Sequence, residues 1–222
     1  MKNEMYVKAE NLGHTFYQGN IAIPALKTAT FEIGPRARIA IVGPSGSGKS
    51  TLLHIIAGLA HETSGTIEWP DLGPRETLRP WKIGFIAQEQ SLVTSLNVQE
   101  NIELPMLFMG TEQKEAEALA RDILERLNLA EIADKLPDEL SGGQMKRAAS
   151  ARALVSRPKL ILADEPTGQL DHATARHFLE VLFAYIEGAD IAVVMTTHDR
   201  EVARYMDTIW TMDHGVMKEG AK

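Results

Sequence analysis

The sequence predicts an α/β fold: a parallel-sheet core, an N-terminal antiparallel β subdomain and an inserted helical subdomain. Three observations predict it. Short apolar runs at 38–42, 159–163 and 190–195 read as strands buried on both faces, and helical patterns separate them. Residues 5–34 read as short strands broken by Gly and Asn, as in a small antiparallel sheet. From about 90 to 156 no strand pattern occurs, so that stretch reads as helical.

Taken in order, the run Arg38-Ile39-Ala40-Ile41-Val42 leads into Gly43-Pro44-Ser45-Gly46-Ser47-Gly48-Lys49-Ser50-Thr51, and an apolar helical stretch follows at 52–59. Residues 65–88 carry Pro70, Pro74 and Pro80 and read as a loop connection. Within the helical stretch, Ala116, Leu119, Ile123 and Leu127 recur at three- and four-residue spacing, which is an amphipathic helix over 111–129. Pro105, Gly110 and Pro137 are expected to separate its helices. Residues 208–218 turn at Asp213-His214-Gly215 and read as a terminal hairpin. No internal repeat or linker divides the chain, so residues 1–222 read as one domain.

Composition narrows the function. The 222 residues are 44% hydrophobic and 24% charged, ordinary for a globular chain. The absence of cysteine excludes disulfides, thiolate metal sites and a Cys nucleophile. A net charge of −7 argues against nucleic acid as a partner. No apolar run approaches the roughly eighteen residues of a membrane span, and the first six residues do not read as a secretory signal.

Gly43 to Ser50 fits G-x-x-x-x-G-K-S/T between a strand and a helix, the context that a phosphate-binding loop requires. Glycines let backbone N–H groups curl around phosphate oxygens, and the helix N-terminus adds about half a positive charge. Gly43, Ser45, Gly46, Ser47, Gly48 and Thr51 therefore read as nucleotide contacts. Lys49 supplies a charge for the β- and γ-phosphates, and Ser50 an oxygen for Mg²⁺.

Leu140-Ser141-Gly142-Gly143-Gln144, followed by the helical 145–154, selects among phosphate-loop classes. With this string the chain resembles the ATP-binding-cassette (ABC) ATPases over almost its whole length. The fold thus implied is a P-loop NTPase. In that family two ATPs lie sandwiched in a head-to-tail dimer, and Ser141, Gly142, Gly143 and Gln144 would face the neighbour's nucleotide. The resemblance implies that Asp164, ending Leu160-Ile161-Leu162-Ala163-Asp164, holds Mg²⁺ and that Glu165 polarises the attacking water. It makes Gln88 the Q-loop amide, a ligand of Mg²⁺ or of the water. It makes His198 the switch histidine at the γ-phosphate and Asp171 part of the loop crossing the dimer interface. An aromatic near the end of the first strand would stack on adenine, and Phe16 or its neighbour Tyr17 meets that position. His14, His54, His61, His172, His177 and His214 have no motif behind them and read as structural or surface residues.

Ala163 to Gly168 with Leu170-Asp171, and residues 97–105, resemble the macrolide-export, lipoprotein-release and cell-division branch. Three departures stand out: Gln169 for the usual Asn, Lys146 for the usual Gln in the signature helix, and the shortened 65–88 stretch. The resemblance implies ATP and Mg²⁺ as cofactors and a homodimer or pseudo-dimer. It also implies an integral membrane permease with room for an extracytoplasmic adaptor, and a cytoplasmic location on the inner membrane face. Export or extraction of a lipoprotein, peptide or drug leads, with mechanotransmission of the cell-division type as the alternative. DNA-repair cassettes are disfavoured by the short interval between Gln88 and Ser141, and translation-associated cassettes by the single phosphate loop. Glu165 and His198 argue against a cassette that binds without hydrolysing.

Overall fold

The computed structural model describes residues 4–88, 92–168 and 170–221; Gln169 lies outside the described residues. Two long strands, β1 (Val7–Gln18) and β2 (Ile21–Ile33), pair antiparallel. They replace the short, interrupted strands expected from the Asn and Gly positions. Register shifts between Ala9 and Thr15 absorb Asn11 and Gly13 as bulges, and Asn11 adopts a left-handed φ of 50°. A bulge takes up one extra residue without ending a strand, which is why these residues did not break the hairpin.

β4 (Ser64–Glu68) lies antiparallel on the free edge of β1. The core strands are β3 (Arg38–Val42), β7 (Ala192–Thr197), β6 (Leu160–Asp164) and β5 (Ile83–Ile86), all parallel. With β8 (Thr208–Asp213) and β9 (Val216–Ala221) they form one sheet in the order β4-β1-β2-β9-β8-β3-β7-β6-β5. The 65–88 stretch is therefore not a bare loop. It carries most of β4 and all of β5. Of β4 only Ile67 is buried, and β5 has four residues, so neither offers much periodicity to read.

Alternation along the core strands divides two hydrophobic layers. Ile39, Ile41, Leu160, Leu162 and Val194 pack with Leu52, Leu53 and Ile56 of α1 (Lys49–Ile56). Ala40, Ile161, Ala163, Val193 and Met195 point the other way, toward the remaining helices. This two-sided burial accounts for the continuous apolar runs.

The described residues of 92–156 contain no strand. They form α2 (Val98–Phe108), α3 (Gln113–Arg126), two 3₁₀ turns and α4 (Gly142–Leu154). α5 (His172–Ile186) and the short α6 (Arg200–Ala203) follow. Pro105 lies inside α2 rather than between helices. It forfeits one backbone bond, but Val98, Ile102 and Met106 are buried on either side of it and hold the helix together. Gly110, at φ 82°, does end that helix region, and Pro137 opens a 3₁₀ turn. Asn101 is fully buried: its amide donates to the carbonyls of Val93, Leu96 and Asn97 and accepts from the Val93 amide. It thereby pins the segment entering α2. Among the described residues no helix is long and apolar enough to cross a membrane.

Candidate nucleotide-binding site

β3 delivers the chain to Gly43, and the loop closes into α1 through Gly48, whose φ of 101° is a glycine conformation. A Cβ at Gly48 would strike the Ala25 carbonyl, and one at Gly43 the Met212 carbonyl. The loop is thus clamped between two neighbouring strands. No side chain caps α1 and its first turn has no acidic residue, so its N–H groups remain available to an anion. Ser47 Oγ is buried with no hydrogen-bond partner among the described residues. Uncapped N–H groups at the start of α1 and the Lys49 ammonium beside them fit phosphate oxygens. Lys49, 6% exposed, donates from Nζ to the carbonyls of Gly43 at 2.9 Å and Pro44 at 3.0 Å.

Opposite the loop stands the end of β6. Asp164 is buried, and its Oδ1 accepts from Thr196 Oγ1 at 2.6 Å. The Glu165 amide donates to the same threonine oxygen at 2.9 Å. Glu165 itself sits at φ 42°, a strained setting for a side chain with a Cβ. Its Oε1 lies 3.9 Å from Lys49 Nζ and its Oε2 3.3 Å from His198 Nδ1. An open cleft of about 520 Å³ is lined by the phosphate loop from Gly43 to Thr51, except for Ser47, together with Ala25, Gln88, Glu165 and His198. Apart from Ala25 of β2, these residues follow the C-terminal ends of β3, β5, β6 and β7, where open parallel sheets gather their ligands.

Ser141 is not in this cleft. It caps α4, accepting from the Gln144 amide while Gln144 Oε1 accepts from the Ser141 amide. With Gly142, Gly143, Gln144 and Asp171 it lines a second cleft of about 540 Å³, and the two clefts share no lining residue. Asp171 caps α5, and its bonds from Thr174 Oγ1 and from the Thr174 and Ala173 amides hold its carboxyl below the usual range. Phe16 and Tyr17 line neither cleft; they stand on the β1–β2 hairpin, half and mostly exposed. Asp164 lies beneath the first cleft rather than on its wall.

Sequence reasoning passed over Ala25, Thr196 and His177. The first two carry no motif, and His177, one of the histidines set aside as surface or structural, lies on the wall of the second cleft. Of the other histidines, His14 bonds the His61 carbonyl through Nδ1, His54 packs on Phe85 and His214 pairs with Asp213. Among the described residues no group of three His, Cys, Asp or Glu could hold a metal by itself. Ser50, Gln88 and Asp164 offer oxygens only, which fits Mg²⁺ completed by nucleotide phosphates.

A phosphate loop at the C-terminal end of an interior parallel strand, facing a strand-end Asp-Glu pair, defines a P-loop nucleoside triphosphatase. The chain belongs to the ABC transporter family, whose model matches residues 26–168, and it is an ATPase of the ATP-binding-cassette type. It is 40% identical to the lipoprotein-releasing system ATP-binding protein LolD of Novosphingobium aromaticivorans, over 96% of this chain and 98% of the relative. The LolD of Rickettsia bellii is 39% identical over 94% and 95%. Among solved structures, a dimeric post-hydrolysis state of the ATP-binding cassette MJ0796 bound to ADP and Pi superposes with a TM-score of 0.87. It is 37% identical, over 97% of this chain and 98% of that one.

Proposed function

We propose that the chain is the ATP-hydrolysing subunit of a transporter that releases lipoproteins from a membrane, working as a head-to-tail homodimer on a membrane-embedded permease. The whole of 1–222 reads as one cassette domain, with the helices of about 90–156 as its inserted subdomain. The observation carrying the dimer is that Lys49 and Ser141 line separate clefts of one chain. A signature that cannot reach its own phosphate loop needs a neighbour's. The relatives named for lipoprotein release favour that substrate class over mechanotransmission.

In each composite site the phosphate-loop amides and Lys49 bind the β- and γ-phosphates. Ser50, Gln88 and Asp164 hold Mg²⁺, which when bound neutralises phosphate charge. Glu165, whose backbone N–H is fixed by a hydrogen bond donated to Thr196 Oγ1, orients water for attack, and His198 contacts the γ-phosphate. Ser141 to Gln144 and Asp171 close from the partner subunit and exclude bulk water. Phe16 or Tyr17 stacks on the adenine. The permease holds the chain at the cytoplasmic face of the membrane, with an extracytoplasmic adaptor as a further partner.

The test is reconstitution with the permease in proteoliposomes carrying a triacylated lipoprotein. ATP-dependent release that Glu165→Gln abolishes is expected. Robust permease-stimulated hydrolysis with no release of lipid-anchored protein would favour mechanotransmission.

A further inference from the structure

Lys146, where this chain departs from the family's usual Gln, is only 3% exposed on α4, a little over one turn beyond Ser141. Its Nζ donates to the Gln88 backbone carbonyl at 3.1 Å. Gln88 lines the phosphate-loop cleft, whereas Ser141 lines the other. Burial pushes the lysine pKa down, and the nearby Glu165 carboxylate opposes that shift. A buried ammonium is costlier than a buried amide, so the substitution puts a charge where the family usually places a neutral donor. Five residues of helix separate Ser141 from Lys146, about 7.5 Å along a rigid axis. One helix therefore carries the group facing the partner's cleft and the group tied to its own.

We propose that Lys146 is a positioning residue linking the two nucleotide sites of the dimer. Through its bond to the Gln88 carbonyl, movement of α4 when Ser141 engages the partner's ATP sets Gln88 beside Glu165 in the chain's own cleft. The proposal rests on the reading that Ser141 acts across the dimer. A single bond from a charged donor that is itself buried is the transmitting contact.

The test uses the full chain, comparing Lys146→Met, Lys146→Gln and Lys146→Arg in hydrolysis against ATP concentration. Single-site ATP affinity is measured in parallel with a fluorescent ATP analogue in a Glu165→Gln, Ser141→Arg background, in which dimer closure is blocked. Lys146→Met is expected to lower kcat about tenfold, to bring the Hill coefficient from above one to one, and to leave single-site affinity within about twofold of the parent. Lys146→Arg should regain most of both properties, and Lys146→Gln should fall between. Parent-like kcat and Hill coefficient in Lys146→Met overturn the proposal. So does a loss of single-site affinity as large as the loss of kcat, which would mark local structural damage. A parent Hill coefficient of one overturns it as well. Ser141→Arg separates the premise from the proposal. If it leaves cooperativity intact, the trans reading falls and takes this proposal with it. If it abolishes cooperativity while Lys146→Met does not, the trans reading stands and the role of Lys146 falls alone.

Discussion

Thr196 holds Asp164: its fully buried hydroxyl donates to Oδ1 at 2.6 Å, and the same oxygen accepts the Glu165 amide at 2.9 Å. One threonine from β7 thus orients the Asp164 carboxylate and fixes the Glu165 backbone at the end of β6. Register places it there, because Asp164 pairs with Thr196 across the parallel strands. A β-branched residue with one stiff side-chain torsion suits a buried contact that must not wander.

Thr196→Val keeps shape and strand propensity but removes both bonds. Stability is expected to fall by about 1–3 kcal/mol, the cost of leaving a buried polar group without its partner. Turnover should fall with it while ATP affinity changes little. Urea denaturation and steady-state kinetics on the purified chain check both. Unchanged stability would mean that Asp164 finds another donor.

Lys49→Ala removes the buried cation of the phosphate loop. Charge-assisted bonds to phosphate are among the stronger polar contacts, so ATP affinity should drop by about tenfold or more, and hydrolysis with it. Equilibrium binding of a fluorescent ATP analogue measures this. Parent affinity together with parent turnover would remove the loop from the nucleotide site.

Glu165→Gln preserves size while deleting the carboxylate that faces His198 and Lys49. Turnover should fall by roughly 10²–10⁴, the scale of general-base assistance, with ATP binding retained. Single-turnover hydrolysis after mixing with Mg²⁺ and ATP is the measurement. An undiminished rate would move the role to another group, with His198 next in line.

Ser141→Arg, added to Glu165→Gln, addresses the dimer. The parent Glu165→Gln chain should shift from monomer toward dimer with ATP and Mg²⁺, as light scattering would show. A bulky cation at the cap of α4 should block that shift and leave first-site ATP affinity largely intact. Dimerisation that survives the change would refute a trans-acting signature.

Much of the architecture and of the site was legible in residue order, for a physical reason. The phosphate loop demands glycines, a lysine and a hydroxyl within a few consecutive positions between strand and helix, so its chemistry is local. Core strands buried on both faces carry unbroken apolar runs, and those within 38–42 and 159–163 announced themselves that way. The signature string and the Asp164-Glu165 pair are likewise contiguous. Other features depend on residues distant in sequence, and only the tertiary structure decided them. Asn11 and Gly13 became bulges because β2 and β4 both pair with β1. Pro105 stayed inside α2 because burial of Val98, Ile102 and Met106 outweighs one lost backbone bond. Ala25 closes on the loop because Gly48 leaves no Cβ in its way. Thr196 reaches Asp164, and Lys146 reaches Gln88, across 32 and 58 positions of chain. No local period encodes such contacts, since they arise only when separate strands and helices pack in register.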